Sequence, residues 1–549
     1  KFFESVLIKK ALENVDIQEN IDELQNKLKE VKEKLRESSK NNLANQINKY
    51  INEALKERRM KLLVRNLREI LRGRRVARIE EIKNQPDFPR ILEIFKIWII
   101  KIEDVFRIFP FRPALFDYVI IDEASQLLPI YIPPLAYISK KLVVIGDDKQ
   151  LRSPELLFFK EGEGNLLFSQ ADLNKDEIGE YFRITRESSS LKLISDLCGN
   201  LIQLKEHFRC LPEIIGFSNE RFYNNSLKIM TYGMERIGDP FEFIKVESAQ
   251  EENMDGTNTE RIVLEENKIN KKEAEILVNY LVSLLKDPKY KRFSFGVISL
   301  FRPQADYIYY LFRKKQEEDS EFLKICKEKE KNNEIVMIGT ADAFQGKERD
   351  IILYSFRHAS NSNPLALNTI LSENNFGHNR LNVALTRARK KMILFISADI
   401  DRFPENILRD FLLYAKGSTT LEIIEEKFDS DFERDVYERM KERGYKLFPQ
   451  YPACGYRIDL ALFLDNLRIG IECDGWQHYD KYGNLNIDDI ERQEVLERAG
   501  WKILRIPSTR YWKNPDACID ELIEEIERIV KEHKKEENIL EKENEKENL

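Results

Sequence analysis

Two acidic constellations in this chain have residue types and spacings suited to chemistry. The apolar run from Asp117 to Ile121 ends in Asp122-Glu123, and the run from Lys141 to Ile145 ends in Gly146-Asp147-Asp148-Lys149-Gln150-Leu151. Such β-branched runs read as buried parallel strands whose carboxyl ends deliver polar groups. Two carboxylates at one strand end suit phosphoryl chemistry, the first holding a Mg2+ that bridges nucleotide phosphates and the second activating a water. The Gln150 amide is placed to sense a terminal phosphate. The second constellation lies near the other end of the chain. Residues 456–464 run into the turn pair Asp465-Asn466, and residues 467–474 return. With a two-residue hairpin loop, Leu464 faces Leu467 and Asp459 falls directly opposite Glu472. Asp474, two residues further, projects from the same face. Like charges opposite one another destabilise a sheet unless a divalent cation joins them, so this cluster reads as an oxygen-ligand Mg2+ site suited to phosphodiester hydrolysis.

The elements that must position these groups can be read from periodicity. Ile17, Ile21, Leu24, Leu28, Val31 and Leu35 follow helical spacing, and Ser38-Ser39-Lys40-Asn41-Asn42 is expected to end that helix. Leu43, Ile47, Tyr50, Ala54, Leu62 and Leu67 mark a second helical segment, giving an expected antiparallel hairpin with a dimerising coiled coil as the alternative. Further strands are expected over 295–299, 335–339, 351–355 and 391–397, with a domain boundary near residue 200. A charged helical stretch, 421–427, then leads into a terminal unit of helix (432–441), strand, hairpin, helix (489–499), strand (502–506) and final helix (516–530). The Lys-, Glu- and Asn-rich residues 531–549 are expected to fray.

The length of 549 residues implies three or four domains, and 42% hydrophobic with 34% charged residues describes a folded chain. A net charge of −7, from 89 basic and 96 acidic residues, excludes a global cationic field, so any nucleic-acid contact must be local. The six cysteines show no knuckle spacing, which argues against a disulfide scaffold or structural zinc and for a reducing, cytoplasmic setting. The longest greasy stretch, Ile97 to Ile102, is interrupted by Lys101 and is too short for a bilayer, so no membrane partner is expected.

Asp122-Glu123-Ala124-Ser125-Gln126 and Gly146 to Leu151 resemble motifs II and III of superfamily 1 helicases of the Upf1-like group. The match extends through Glu206-His207-Phe208-Arg209-Cys210-Leu211-Pro212, Gly296 to Ser299 with Arg302-Pro303-Gln304, Thr340 to Asp350, and the RLNVALTRAR stretch from Arg380 to Arg389. The resemblance implies tandem RecA-like P-loop NTPase domains and ATP as substrate. It implies that Asp122 holds Mg2+, Glu123 positions or deprotonates water, and Gln150 contacts the γ-phosphate. Arg209 and Arg387 become the arginines supplied by the second domain, Glu348 meets the ribose or phosphate region through water, and Phe208 stacks on adenine where the family usually has Tyr. Fixed guanidinium donors favour a phosphoryl-transfer transition state on physical grounds alone. Thr340, Gln345 and Arg302 are candidates for sugar–phosphate contacts.

The glycine loop of motif I has no counterpart in the sequence. The expectation is therefore a fragment, its first RecA-like domain truncated at the N-terminus, that hydrolyses ATP poorly as it stands.

Asp459, Glu472-Cys473-Asp474-Gly475 and His478, with Arg505, resemble the Vsr-like branch of the PD-(D/E)xK nuclease fold. The resemblance implies that Asp459 and Glu472 bind metal, that Asp474 stands where many members have Lys, and that His478 acts as base or orients the water. Glu433 on the preceding helix is a further candidate ligand, with a solvated helix acid as the alternative. The expected organisation is a helical stalk over 1–108, the remainder of RecA-like domain 1 over 109–200, RecA-like domain 2 over 201–415, a restriction-endonuclease-like α/β domain over 430–530 and a charged tail over 531–549. The expected function is an ATP-dependent DNA helicase or translocase joined to a Mg2+-dependent endonuclease acting in DNA repair or defence. The alternatives are a terminal domain that binds without cutting, and an RNA helicase.

Overall fold

The computed structural model describes residues 21–72, 91–92, 95–153, 188–199, 201–247, 252–253, 268–332, 334–359, 361–372, 376–417, 428–464, 467–475 and 487–547. The chain divides into two compact units, residues 1–119 with 133–142, and residues 120–132 with 143–549.

In the first unit, α1 (Ile21–Ala54) and α2 (Arg58–Arg72) form the helical region. The expected break at Ser38 to Asn42 is absent. Ser and Asn cost only a few tenths of a kcal/mol in a helix, these five are solvent-exposed, and the stretch has no Gly or Pro. The turn comes instead at residues 55–57, and a small core of Met60, Leu63, Ile91 and Phe109 forms beside Ile51.

The second unit is organised by a parallel five-stranded sheet. Its strands are β5 (Phe241–Lys245), β6 (Phe295–Ser299), β7 (Met337–Gly339), β8 (Arg349–Ala359) and β9 (Ala388–Ser397), in the order β5-β9-β8-β6-β7. Side chains alternate strictly across it. Ile352, Tyr354 and Phe356 join one core, which includes Ile214, Ile215 and Phe217 of α3 (Pro212–Tyr223). Ile351 and Leu353 join the other, with Leu277 and Leu281 of α4 (Lys271–Lys286) and Ile308 and Phe312 of α5 (Arg302–Glu318). Helices on both faces explain why the strands read as continuous apolar runs, and the arrangement is the RecA-like α/β architecture expected from the sequence. Two shorter pairings precede it in the chain: β1 (Phe116–Ile121) with β2 (Ser139–Val144), and β3 (Glu206–His207) with β4 (Lys228–Ile229). The helix α6 (Gly377–Leu385) leads into β9.

The terminal domain has its own sheet of β10 (Leu447–Ala453), β11 (Tyr456–Leu464), β12 (Leu467–Asp474) and β13 (Trp501–Pro507), in that order. The first two pairings are antiparallel and the last is parallel. One face packs on α7 (Asp431–Glu442) and α9 (Pro515–Glu547), through Val436, Met440, Ile519 and Ile526. The other face packs on α8 (Ile487–Arg498) through Val495, Leu496 and Ala499. That second core also takes in Met230, just after β4. Around it, Arg498 pairs with Glu206, and Arg468 Nη1 donates to the carbonyls of Tyr232 (3.1 Å) and Ala499 (2.9 Å). Gly233, at φ +78°, has no room for a side chain, because a Cβ there would lie 2.8 Å from Phe463 and 3.0 Å from Arg468.

The expected fraying of residues 531–549 gives way to helix as far as Glu547. An anchored amphipathic start nucleates the helix, and Lys and Glu, both good helix formers, extend it. No helix among the described residues is long and apolar enough to cross a membrane.

Candidate functional sites

At the first site, the β1 and β2 ends are tied together: the Ile145 amide donates to the Ile121 carbonyl (2.8 Å) and the Ala124 amide to the Ile145 carbonyl (2.9 Å). Between them the chain turns sharply at Glu123, whose φ of +53° is left-handed. A non-glycine residue held there signals a turn the surroundings enforce. The Glu123 amide donates to Asp122 Oδ1 (2.9 Å) and its carboxylate accepts from Gln126 Nε2 (3.1 Å). Asp122 is exposed. Gln150 is not free to reach outward as it stands, because its Nε2 donates to Asp147 Oδ2 (3.0 Å), which also accepts from Tyr223 Oη (2.8 Å). The loop is gripped from α6. Asn379 Nδ2 donates to the carbonyls of Asp148 (2.9 Å) and Gln150 (2.7 Å), and Asn382 Nδ2 donates to that of Lys149 (2.9 Å).

The two arginines sit on adjoining segments. The Leu211 amide donates to the Arg389 carbonyl (2.9 Å), and the Cys210 thiol, pushed up to about 12 by burial, faces the Thr386 carbonyl. Arg209 pairs with Glu348, which also meets Arg389 at 3.4 Å. Glu348 is therefore placed to orient Arg209, a role beyond the nucleotide contact expected of it. Arg387 is 1% exposed, and its hydrogen-bond partners among the described residues are oxygen dipoles: the carbonyls of Val383 (2.9 Å) and Lys347 (3.5 Å) and the Thr386 hydroxyl (3.2 Å). Burial, then the neighbouring Arg209, lowers its pKa, while Glu123 favours the charged form. Glu123, Arg209 and Arg387 thus share one electrostatic neighbourhood, and a negatively charged phosphate group entering it relieves the repulsion between the guanidiniums. Phe208 is 53% exposed, leaving its ring face available. Among the described residues Gln345 has a buried Nε2 without a hydrogen-bond partner, and Arg302 is engaged by Asp306.

At the second site the β11/β12 register runs from Leu464↔Leu467 to Leu460↔Ile471, as the hairpin arithmetic requires. One step further places Asp459 against Glu472, and Asp459 Oδ2 accepts the Cys473 amide at 2.8 Å. The turn pair Asp465-Asn466 itself and His478 lie outside the described residues, as does the charged stretch 421–427. Glu472 is 1% exposed; its Oε1 accepts from Arg492 Nη2 on α8 at 3.0 Å, and its Oε2 lies 2.9 Å from the same nitrogen as an ion pair. Burial raises both carboxyls; the Glu433 charge adds to Asp459, and the Asp459 charge adds to Glu472 enough to outweigh Arg492.

Asp474 stands differently from the expectation of a third metal ligand. Both its oxygens accept from Arg505 Nη1, at 2.8 and 2.9 Å, because β13 places Arg505 beside Glu472 in parallel register. Glu433 is neither a solvated acid nor an open ligand. It closes a capping box with Ser430 and accepts from Gln450 Nε2 at 2.9 Å. Accordingly, no three His, Cys, Asp or Glu side chains among the described residues converge as a ready-made metal cage. The donor set that fits a divalent cation is the facing pair Asp459 and Glu472. It is hard, anionic and oxygen-only, leaving further positions for water and phosphate.

Arg492 escaped the sequence reading. A signal was present: Arg492 falls one turn before Val495 and Leu496 and two before Ala499, on the stripe that turns apolar toward the end of the helix, and an Arg on such a stripe needs an internal partner.

The fold and these residues define an Upf1-like superfamily 1 helicase domain followed by a restriction-endonuclease-like domain. A family profile described as an AAA domain (AAA_12) matches residues 187–399, and one described as REase_MTES_1575 matches residues 432–526. Among curated relatives, Uncharacterized ATP-dependent helicase MG140 of Mycoplasma genitalium is 30% identical over 315 residues, 56% of this chain and 25% of that protein. DNA replication ATP-dependent helicase/nuclease dna2 of Schizosaccharomyces pombe is 27% identical, covering 52% of this chain and 19% of its own. Helicase sen1 of the same yeast is 28% identical, covering 51% and 14%. The chain thus spans a quarter or less of each of these relatives.

Proposed function

We propose that this chain belongs to an ATP-driven DNA helicase or translocase whose terminal domain cuts DNA in a Mg2+-dependent reaction. The carrying observation is the facing pair of half-buried Asp459 and buried Glu472, fixed by the Cys473 amide and Arg492, on the chain that also brings Glu123, Arg209 and Arg387 together. The dna2 resemblance supports DNA as substrate and the pairing of motor with nuclease.

In the motor, Glu123 is aimed by its left-handed backbone and Gln126 to polarise water, with Asp122 beside it to hold Mg2+. Arg209 and Arg387 steady the charge that develops on the transferred phosphoryl group. The Asn379 and Asn382 grips transmit any movement of the 146–151 loop to α6 and hence to Arg387. In the nuclease, Asp459 and Glu472 would hold the cation, which supplies Lewis acidity and a more acidic bound water. Arg505 holds Asp474 beside them through two hydrogen bonds, and His478 is the proposed base or water-orienting group. Single-stranded DNA would be held chiefly through sugar and phosphate, with Thr340, Gln345 and Arg302 as contacts. DNA repair or defence is the proposed setting, in the cytoplasm.

Nicking of plasmid or single-stranded DNA with Mg2+, compared between the parent and Asp459→Asn, tests the reading. Parent cleavage lost in the variant supports it; absence of cleavage by the parent overturns it. Capture of Asp474 by Arg505 favours a second reading, a terminal domain that binds DNA without cutting, and retained binding without any parental nicking would establish that one. For the motor, the lack of a motif I sequence leads to ATP turnover by the 549-residue chain no higher than that of Glu123→Gln; clear Mg2+-dependent turnover would overturn that.

A further inference from the structure

Arg492 lies outside every motif discussed above, yet it touches both strands that carry the nuclease carboxylates. Its Nη2 reaches Glu472 Oε1 and Oε2 at 3.0 and 2.9 Å, and the same group bonds the Arg457 carbonyl, two residues before Asp459. Among the described residues it is the one cation bonded to Glu472. Arg505, the nearest alternative, gives its Nη1 to Asp474 and its Nε to Gln493. The Arg492 side chain is 18% exposed, so it stands at the border between the site and solvent, and its contacts with Glu472 and the Arg457 carbonyl are all made by Nη2. Its helix is fixed at the far end by Val495, Leu496 and Ala499 in the core and by the Arg498–Glu206 pair.

We propose that Arg492 is a positioning residue of the nuclease centre, resting on the cleavage reading above: it holds Glu472 toward Asp459 until a divalent cation takes the carboxylate, and then turns its free edge to the scissile phosphate. Two carboxylates facing each other on a sheet, one buried and one half-buried, repel, and a guanidinium offsets that repulsion without closing the site, because it can release one partner for another anion of similar geometry. A cation in that place also competes with the metal for Glu472. Removing it therefore has a signature unlike that of lost packing: tighter metal binding together with slower cutting.

The test is calorimetric titration of Mn2+ alone into the full 549-residue protein, taking the component lost in Asp459→Asn as the site, beside cleavage assays on the same preparations. For Arg492→Gln the expected result is Mn2+ affinity about three- to tenfold tighter and cleavage about 100-fold slower. Arg492→Lys should lie within about tenfold of the parent in cleavage, since charge remains while the fork is lost. Weaker Mn2+ binding with a lowered melting temperature would make Arg492 merely structural, and affinity and cleavage both within twofold of the parent would remove any role; either overturns the inference. So would absence of any Asp459-dependent Mn2+ binding. Tighter Mn2+ binding in Arg492→Gln without cleavage by the parent would sustain the positioning role and overturn cleavage alone.

Discussion

The two sites are built by opposite strategies. The proposed motor site is assembled from loop ends: Asp122 is exposed, Glu123 sits on a left-handed turn, and the 146–151 loop is held by amide grips from α6. The proposed nuclease centre is cut into the interior of one sheet, with Glu472 and Asp474 1% and 2% exposed and each matched to a guanidinium. Under the proposed function, a site that opens and closes with nucleotide is made of parts joined by a few hydrogen bonds, whereas one that holds a cation in fixed geometry is made of strands. The lesson is that rigidity here follows the chemistry required.

The sharpest way to break this contrast is at the strands. Glu472→Gln should lower DNA cleavage by about a thousandfold, near 4 kcal/mol of barrier, while nucleic-acid binding measured by anisotropy stays within twofold. Comparable losses of both would mean that the two sites are not separable.

Next in size is a pH effect confined to the motor half. His207 accepts the Cys210 amide on Nε2 at 2.9 Å, and burial, then Arg209, lowers its pKa to about 4. A histidine kept neutral in the fold takes up more protons when unfolded. Its contribution is whole above about pH 6.5 and is lost as pH falls toward 4. Between pH 7 and pH 5 the loss should be about 2 kcal/mol. Urea denaturation of His207→Gln should show a flatter dependence over that interval; an unchanged slope would remove His207 from the account.

Smallest is the grip on the 146–151 loop. Asn379→Ala removes two hydrogen bonds and should cost about 1–2 kcal/mol of local stability, read as faster amide exchange in that loop with the terminal sheet unaffected. Exchange rising in both places would show one cooperative body rather than a hinged part beside a rigid one.

Much of this was legible because strands and motifs are local. The β11/β12 register followed from a two-residue turn and alternation, and the apolar runs ending in Asp122 and Gly146 announced strand tips. What the sequence hid arises from packing. Arg505 reaches Asp474 only because β13 joins in parallel, and Arg492 reaches Glu472 only once α8 docks, twenty residues downstream. Ser38 to Asn42 and residues 531–547 were misread for another reason: composition reports average tendency, and a helix already running needs only the absence of strong breakers to continue.

Met230 has a consequence for how such a protein can be taken apart. It is 2% exposed, and the oily patch that buries it is made largely of terminal-domain residues, Ala453, Ile458, Leu496 and Trp501 among them. A chain cut at the linker would carry an adhesive scar on each piece, so truncations meant to isolate one activity invite aggregation. The same scar restricts recombination: a foreign cutting module spliced onto this motor must bring a matching socket for Met230 and an anion-seeking arginine for Glu206, or leave both stranded in water.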